Sequence, residues 1–181
     1  MMIARDPKSI PMIFNQEMVR AILDGRKTVT RRHCRTAPAG SRNVDYQVGD
    51  LIYVRETFRL FDASVECGCS ESPCGCPLTG APIYKASHDD GESKWTPSIH
   101  MPRNKSRLTL RITKAYTENV GDITDEAAQK EGYLPNYSAT QTKPKVWFKT
   151  LWNDIYGDWD ASPLVWCLEF EVINKNVDAL V

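Results

Sequence analysis

A chain of 181 residues, 41% hydrophobic and 25% charged, has the makeup of an ordinary globular domain, which excludes disorder, collagen-like repeats and coiled coil. Lysine plus arginine balances aspartate plus glutamate at 23 each, so net charge offers no means of wrapping long duplex nucleic acid. No run approaches the roughly 18 to 20 apolar residues of a membrane span, and Met1 to Phe14 lacks the apolar core of a secretion signal; the expected location is the cytosol.

In chain order, Pro11 to Phe14 reads as a short strand. Asn15 is placed to cap a helix in which Met18 and Ile22, then Val19 and Leu23, recur four residues apart, and Gly25 supplies its C′ turn. Thr28 to Arg32 is a second strand, and the Val48-Gly49-Asp50 turn introduces a third, Leu51 to Glu56. Phe61 to Asn104 is rich in Cys, Gly, Pro and Ser without sustained periodicity, the mark of a functional or metal-braced insertion. Ser106 to Thr113 alternates Leu108, Leu110 and Ile112 against Arg107, Thr109 and Arg111, as a half-buried antiparallel strand does. Thr124 caps a helix with Asp125 and Glu126 in its first turn, where the dipole favours acids, and Gly132 ends it. A third helix, about Lys145 to Tyr156, puts Phe148, Leu151, Trp152 and Ile155 on one face. The closing strand, Leu164 to Ile173, is partly apolar on both faces and is therefore expected to be central. These elements predict a single α+β domain built on a small barrel-like mixed sheet with peripheral helices.

Three clusters carry chemistry. Gly25 to Arg32, GRKTVTRR, sets Lys27 three residues from Thr30 among Arg26, Arg31 and Arg32. Neighbouring cations lower an amine pKa, and a neutral amine activates a hydroxyl or grips a polar ligand. The basic side chains from Arg20 to Arg35, with those from Arg103 to Lys114, either line one groove or decorate solvated strand edges. Trp95 to Arg103, WTPSIHMPR, offers Trp95 to stack on a base and Ser98, His100 and Arg103 to meet ring edges or phosphate; the alternative is that Trp95, Ile99 and Met101 plug the barrel end. Arg55 and Glu56 are either an ion-paired support or polar groups facing a cleft. Cys67, Cys69, Cys74 and Cys76 form C-x-C-x(4)-C-x-C, a donor set suited to one tetrahedral, structural zinc, with disulfides the alternative in an oxidising compartment.

ILDGRKTVTRR, VGDLIYVRETF, WTPSIHMPR and the final VWCLEFEVI resemble the ASCH domain of the PUA-like superfamily, in its bacteriophage and prophage branch. The resemblance covers most of the chain and implies an RNA- or nucleobase-related role, with a modified nucleoside or single-stranded RNA as partner. Small amidohydrolases of that superfamily deacetylate N(4)-acetylcytidine with a lysine and a threonine of a G-R-K-T-x-T motif and a later glutamate, which correspond to Lys27, Thr30 and Glu131. Amide hydrolysis needs a base, a nucleophile and an acid. On this reading Lys27 is the base, Thr30 the nucleophile or water positioner, and Glu131 the acid. The insertion and the segment Tyr133 to Pro144 depart from the small enzymes and either cap the cleft or change its ligand. A non-catalytic base- or RNA-binding module and a ribonuclease stay open as alternatives.

Overall fold

The computed structural model describes residues 6–34, 45–69, 73–135 and 142–180. Strand β1 is Ser9–Ile13 and helix α1 is Gln16–Leu23; between them Asn15 Oδ1 accepts from the Met18 N–H at 2.8 Å, the cap its sequence position calls for. Strands β2 (Val29–His33) and β3 (Leu51–Arg55) follow. A hairpin of β4 (Phe58–Leu60) and β5 (Pro82–Tyr84) flanks the short helix α2 (Ala63–Glu66). The chain then forms β6 (Thr109–Asn119), α3 (Asp125–Lys130), α4 (Pro144–Ile155) and β7 (Leu164–Ile173).

Five strands make one mixed sheet in the order β1-β3-β6-β7-β2, with β1 and β3 parallel and the other neighbours antiparallel. The α+β architecture is the one expected, but among the described residues no strand pairing closes it into a barrel. The sheet curls instead until Arg32 of β2 donates from Nη2 to the Ile13 carbonyl at the end of β1, 3.1 Å away, with its guanidinium 5.1 Å from the Phe14 ring centre. Helix α1 connects these two edge strands and drives Val19 and Ile22 into a core of Met12, Phe14, Ile52, Val54, Leu110, Ile112, Leu168 and Phe170. Full burial stabilises by about 1.5–3 kcal/mol for each such side chain.

Strand β7 separates two cores, and so both its faces are apolar. Leu168 and Phe170 belong to the first; Val165 and Cys167 belong to a second, with Phe148 and Trp152 of α4, Ala128 of α3, and Val120, Ile123 and Trp159. Strand β6 differs from its expectation. Its ladder begins at Thr109, because the Ser106 hydroxyl holds the preceding segment to the Val54 and Leu108 carbonyls. It also carries a register shift between Ile112 and Lys114. Leu110 and Ile112 pack in the first core before the bulge and Ala115 packs there after it, so the alternation changes parity and Tyr116 turns to the second core. Among the described residues no helix is long and apolar enough to cross a membrane.

Candidate functional site

Lys27 and Glu131, 104 positions apart, form an isolated antiparallel bridge just after α1 and α3. The Lys27 N–H donates to Ala21 O at 2.9 Å, the Thr28 N–H to Lys130 O at 2.9 Å, and Arg26 Nη1 to Gly132 O at 2.8 Å, which ties the end of α3 to the end of α1. Gly132 permits this approach: its φ is +104°, and a Cβ there would lie 2.8 Å from Ala21 Cβ. The Lys27 ammonium, with no exposed surface, donates to Glu131 Oε2 at 2.5 Å, Val29 O at 2.9 Å and Glu131 O at 3.1 Å. All three of its protons have an acceptor.

The other Glu131 oxygen accepts from Arg31 Nη1 at 2.9 Å, and Arg31 also donates from Nε and Nη2 to Glu118 Oε1 at 2.9 and 2.7 Å. Two cations and two carboxylates thus form one mostly buried network. Burial lowers the Lys27 pKa from its ordinary 10.5, against the opposing pull of Glu131, and nearby Arg32 and Arg31 add to the lowering. Glu131 holds Arg31 well above the usual arginine range despite its burial. Glu118 escaped the sequence reading; strict alternation from Ile112 would turn it away from Arg31, and only the β6 bulge brings it over.

Thr30 stands on the opposite face of β2. It pairs with Leu168 in the ladder while Arg31 pairs with Cys167. Thr30 is fully buried, and its hydroxyl accepts from Arg32 Nη1 at 3.0 Å; no hydrogen bond joins it to Lys27 or Glu131. Glu131, 3% exposed, is the member of the three that lines a cleft, a cavity of about 600 Å³ between α1 and α4. Met18, Ala21, Tyr133, Trp147 and Leu151 give it apolar and aromatic walls, and Arg20, Arg26 and Thr150 add polar groups. Tyr133 and Trp147 meet edge to face with ring centres 5.5 Å apart. Of the Tyr133 to Pro144 segment, residues 136–141 lie outside the described residues.

A second hollow of about 580 Å³ adjoins the first across Asn15 and Met18, which line both; Arg32, Arg55, His33, Tyr46 and Tyr156 line it too. Arg55 donates from Nε to Met101 O at 3.0 Å and from Nη2 to Ile99 O, linking this hollow to the 95–103 segment. Glu56 turns away into a two-pronged ion pair with Arg107 at 2.8 and 2.9 Å. Trp95, Ser98, His100 and Arg103 line neither hollow. Trp95 lies under the Arg59 guanidinium, Ser98 and His100 bound a single helical turn, and Arg103 pairs with Asp178 at 2.6 Å.

The four cysteine sulfurs of the insertion lie within 4.8 Å of one another, with Cys67–Cys74 and Cys69–Cys76 contacts of 3.3 Å. Tetrahedral zinc–thiolate bonds of about 2.3 Å place sulfurs roughly 3.8 Å apart, so this donor set fits one metal ion with little adjustment. The Cys76 N–H directed at Cys74 Sγ, helped by the neighbouring thiols, pulls the Cys74 pKa down to about 7. Residues 70–72 lie outside the described residues.

No family model matches the chain, and no curated protein matches it. Among solved structures it is similar to protein EF3133 from Enterococcus faecalis V583, family-model DUF984, at 12% identity and a TM-score of 0.45, over 98% of this chain and 83% of that one. It is also similar to a mutant of ZmASCH from Zymomonas mobilis, at 12% identity and a TM-score of 0.41, over 96% and 78%.

Proposed function

We propose that the chain is an ASCH-type, PUA-like protein that recognises a nucleobase in the cleft between α1 and α4 and hydrolyses an N(4)-acyl amide of a cytidine there. The observation that carries this reading is the 2.5 Å contact between buried Lys27 and Glu131, with Glu131 opening onto a cleft walled by Trp147 and Tyr133. With Lys27 and Glu131 in direct contact at the edge of the cleft, the pair is assigned the proton traffic of the reaction, first as base and then as acid. Through Glu131 it takes the proton of an attacking water as the oxygen bonds to the acyl carbon. It returns that proton to the exocyclic nitrogen as the C–N bond breaks, releasing the carboxylic acid and the cytidine. Water is favoured over Thr30 as nucleophile, because the Thr30 hydroxyl has no open face and is engaged by Arg32. Thr30 then has a structural role, accepting from Arg32 Nη1 inside the sheet. Zinc is the proposed occupant of the cysteine site, in a structural role that takes no part in the reaction.

Release of cytidine from N(4)-acetylcytidine tests the reading. Glu131→Gln, which keeps the shape and removes the proton acceptor, is expected to lower kcat by at least about a hundredfold. Unchanged turnover in that variant ends the hydrolase proposal. A second reading, a non-catalytic binder of modified bases, is favoured by the complete burial of Lys27 and Thr30. It predicts saturable binding of the acetylated nucleoside without turnover. Cleavage of RNA with no acyl nucleoside present would point to a ribonuclease instead.

A further inference from the structure

Nine arginines fall among the described residues, and six of them, Arg26, Arg31, Arg59, Arg103, Arg107 and Arg111, pair with a carboxylate. Among the described residues the hydrogen bonds of Arg32 and Arg55 go to carbonyl and hydroxyl oxygens, which orient a guanidinium without neutralising it; Arg20 donates to Ala86 O and is also felt by the Asp89 carboxylate. These three line the two adjoining hollows: Arg20 the Glu131 cleft, Arg32 and Arg55 the neighbouring one. Among the described residues no carboxylate lines the Arg32–Arg55 hollow. Apart from Asn15 and His33, the latter turned to Asp158 at 3.3 Å, its walls are apolar or aromatic, so an anion there gains more than it would at an open surface.

The guanidiniums are also held in place. Arg32 commits three of its N–H groups to Thr30 Oγ1, Arg31 O and Ile13 O, and Arg55 commits two to Met101 O and Ile99 O; each has five, so both keep donors for a ligand. Fixed donors lose little entropy on binding. We propose that Arg32 and Arg55 form a phosphate subsite, and that the ligand of the adjoining base cleft is a phosphate-bearing nucleotide unit and not a free nucleoside. This rests on the reading of the Glu131 cleft as a base site. Asn15 and Met18, shared by both hollows, mark where the sugar would cross.

Unacetylated ligands separate this inference from the hydrolase reading, because binding is measured without turnover. Cytidine, cytidine 5′-monophosphate and a tetracytidylate RNA are titrated into the wild-type chain by calorimetry, alongside Arg55→Gln and Arg32→Gln. The phosphate is expected to tighten binding at least about tenfold over cytidine, and each variant to lose that gain while binding cytidine as before. A gain complete with the monophosphate assigns a mononucleotide; a gain seen only with the tetramer assigns an RNA phosphodiester, with a salt slope shallower by about one in each variant. Equal affinity for cytidine and both phosphate-bearing ligands, or equal loss of all three in Arg55→Gln, overturns the proposal, as does failure of the phosphate-bearing ligands to bind. Arg32 also bridges β1 and β2, so Arg55→Gln decides if Arg32→Gln does not fold. If the cytosine reading alone is wrong, other nucleoside monophosphates bind as well as the cytidine form and the Arg55-dependent gain persists.

Discussion

At the residue scale, Lys27 is both the best-satisfied and the most exposed-to-risk side chain of the site. Its ammonium is buried with three acceptors, one of them an ionisable carboxylate. Lys27→Met removes the cation and leaves Glu131 buried with Arg31 alone, a change that costs about 3–5 kcal/mol when one partner of a buried pair is lost. Urea unfolding should show that loss, and Lys27→Met combined with Glu131→Leu should recover part of it, since replacing a buried pair by apolar groups is often close to neutral. A double variant no more stable than the single one would mean that the carboxylate was not the cause. The lowered Lys27 pKa adds a pH signature. Between its folded pKa and 10.5 the unfolded chain holds the proton and the folded chain does not, so this group makes stability rise with pH across that window. The wild type should therefore gain stability relative to Lys27→Met as pH climbs from neutral toward 10.5; parallel curves would show that Lys27 titrates as a free lysine.

At the element scale, two glycines follow helices with positive φ and different surroundings. Gly25 follows α1 at φ +72° with nothing within 4 Å of a would-be Cβ, whereas Gly132 follows α3 at φ +104° and faces Ala21 Cβ at 2.8 Å and Lys27 Cβ at 3.3 Å. Gly25→Ala should cost about 1–2 kcal/mol, the left-handed backbone term alone. Gly132→Ala adds a steric overlap that can be relieved only by moving α1 from the 131–132 turn, so its loss of denaturation free energy should be at least about twice as large. Equal losses would mean that the turn has room to shift. The same contrast explains what the chain disclosed in advance. Caps at Asn15 and Thr124, the glycine stops and the two-faced pattern of β7 are local signals, and each was legible. Strands β4 and β5 were not: three residues each, they are held by distant anchors such as Arg107 over the Tyr84 ring at 4.1 Å and Tyr84 Oη donating to Lys105 O at 2.8 Å. Nor was Glu118, whose direction depends on a one-residue bulge. Lys27 with Glu131 could be named only through family resemblance, because no periodicity links residues so far apart.

At the scale of the whole molecule, the cysteine-bearing loop of the insertion stands outside the cores, although Ala86, further along the insertion, packs in the first. The described residues among 62–79 contribute no side chain to either buried cluster, and the hairpin that carries them is fastened through Glu56–Arg107 and the buried Phe58 and Phe61. A metal held there braces a peripheral loop, so its loss should be felt locally. Protein purified without chelator should carry about one equivalent of zinc, and Cys69→Ser with Cys76→Ser should lose it, since two thiolates bind far more weakly than four. The main thermal transition should then shift by only a few degrees, because the first and second cores are untouched. Protease cutting should rise within residues 62–79 and not within β6 or β7. Global unfolding on metal removal would show that the insertion is integral to the fold, and a metal-free chain with an intact insertion would remove zinc altogether. The hydrolysis of N(4)-acetylcytidine proposed above offers the complementary readout: with Glu131 and its cleft built from α1, α3 and α4, that activity should survive zinc loss when measured below the melting transition, and a parallel loss would place the insertion over the cleft.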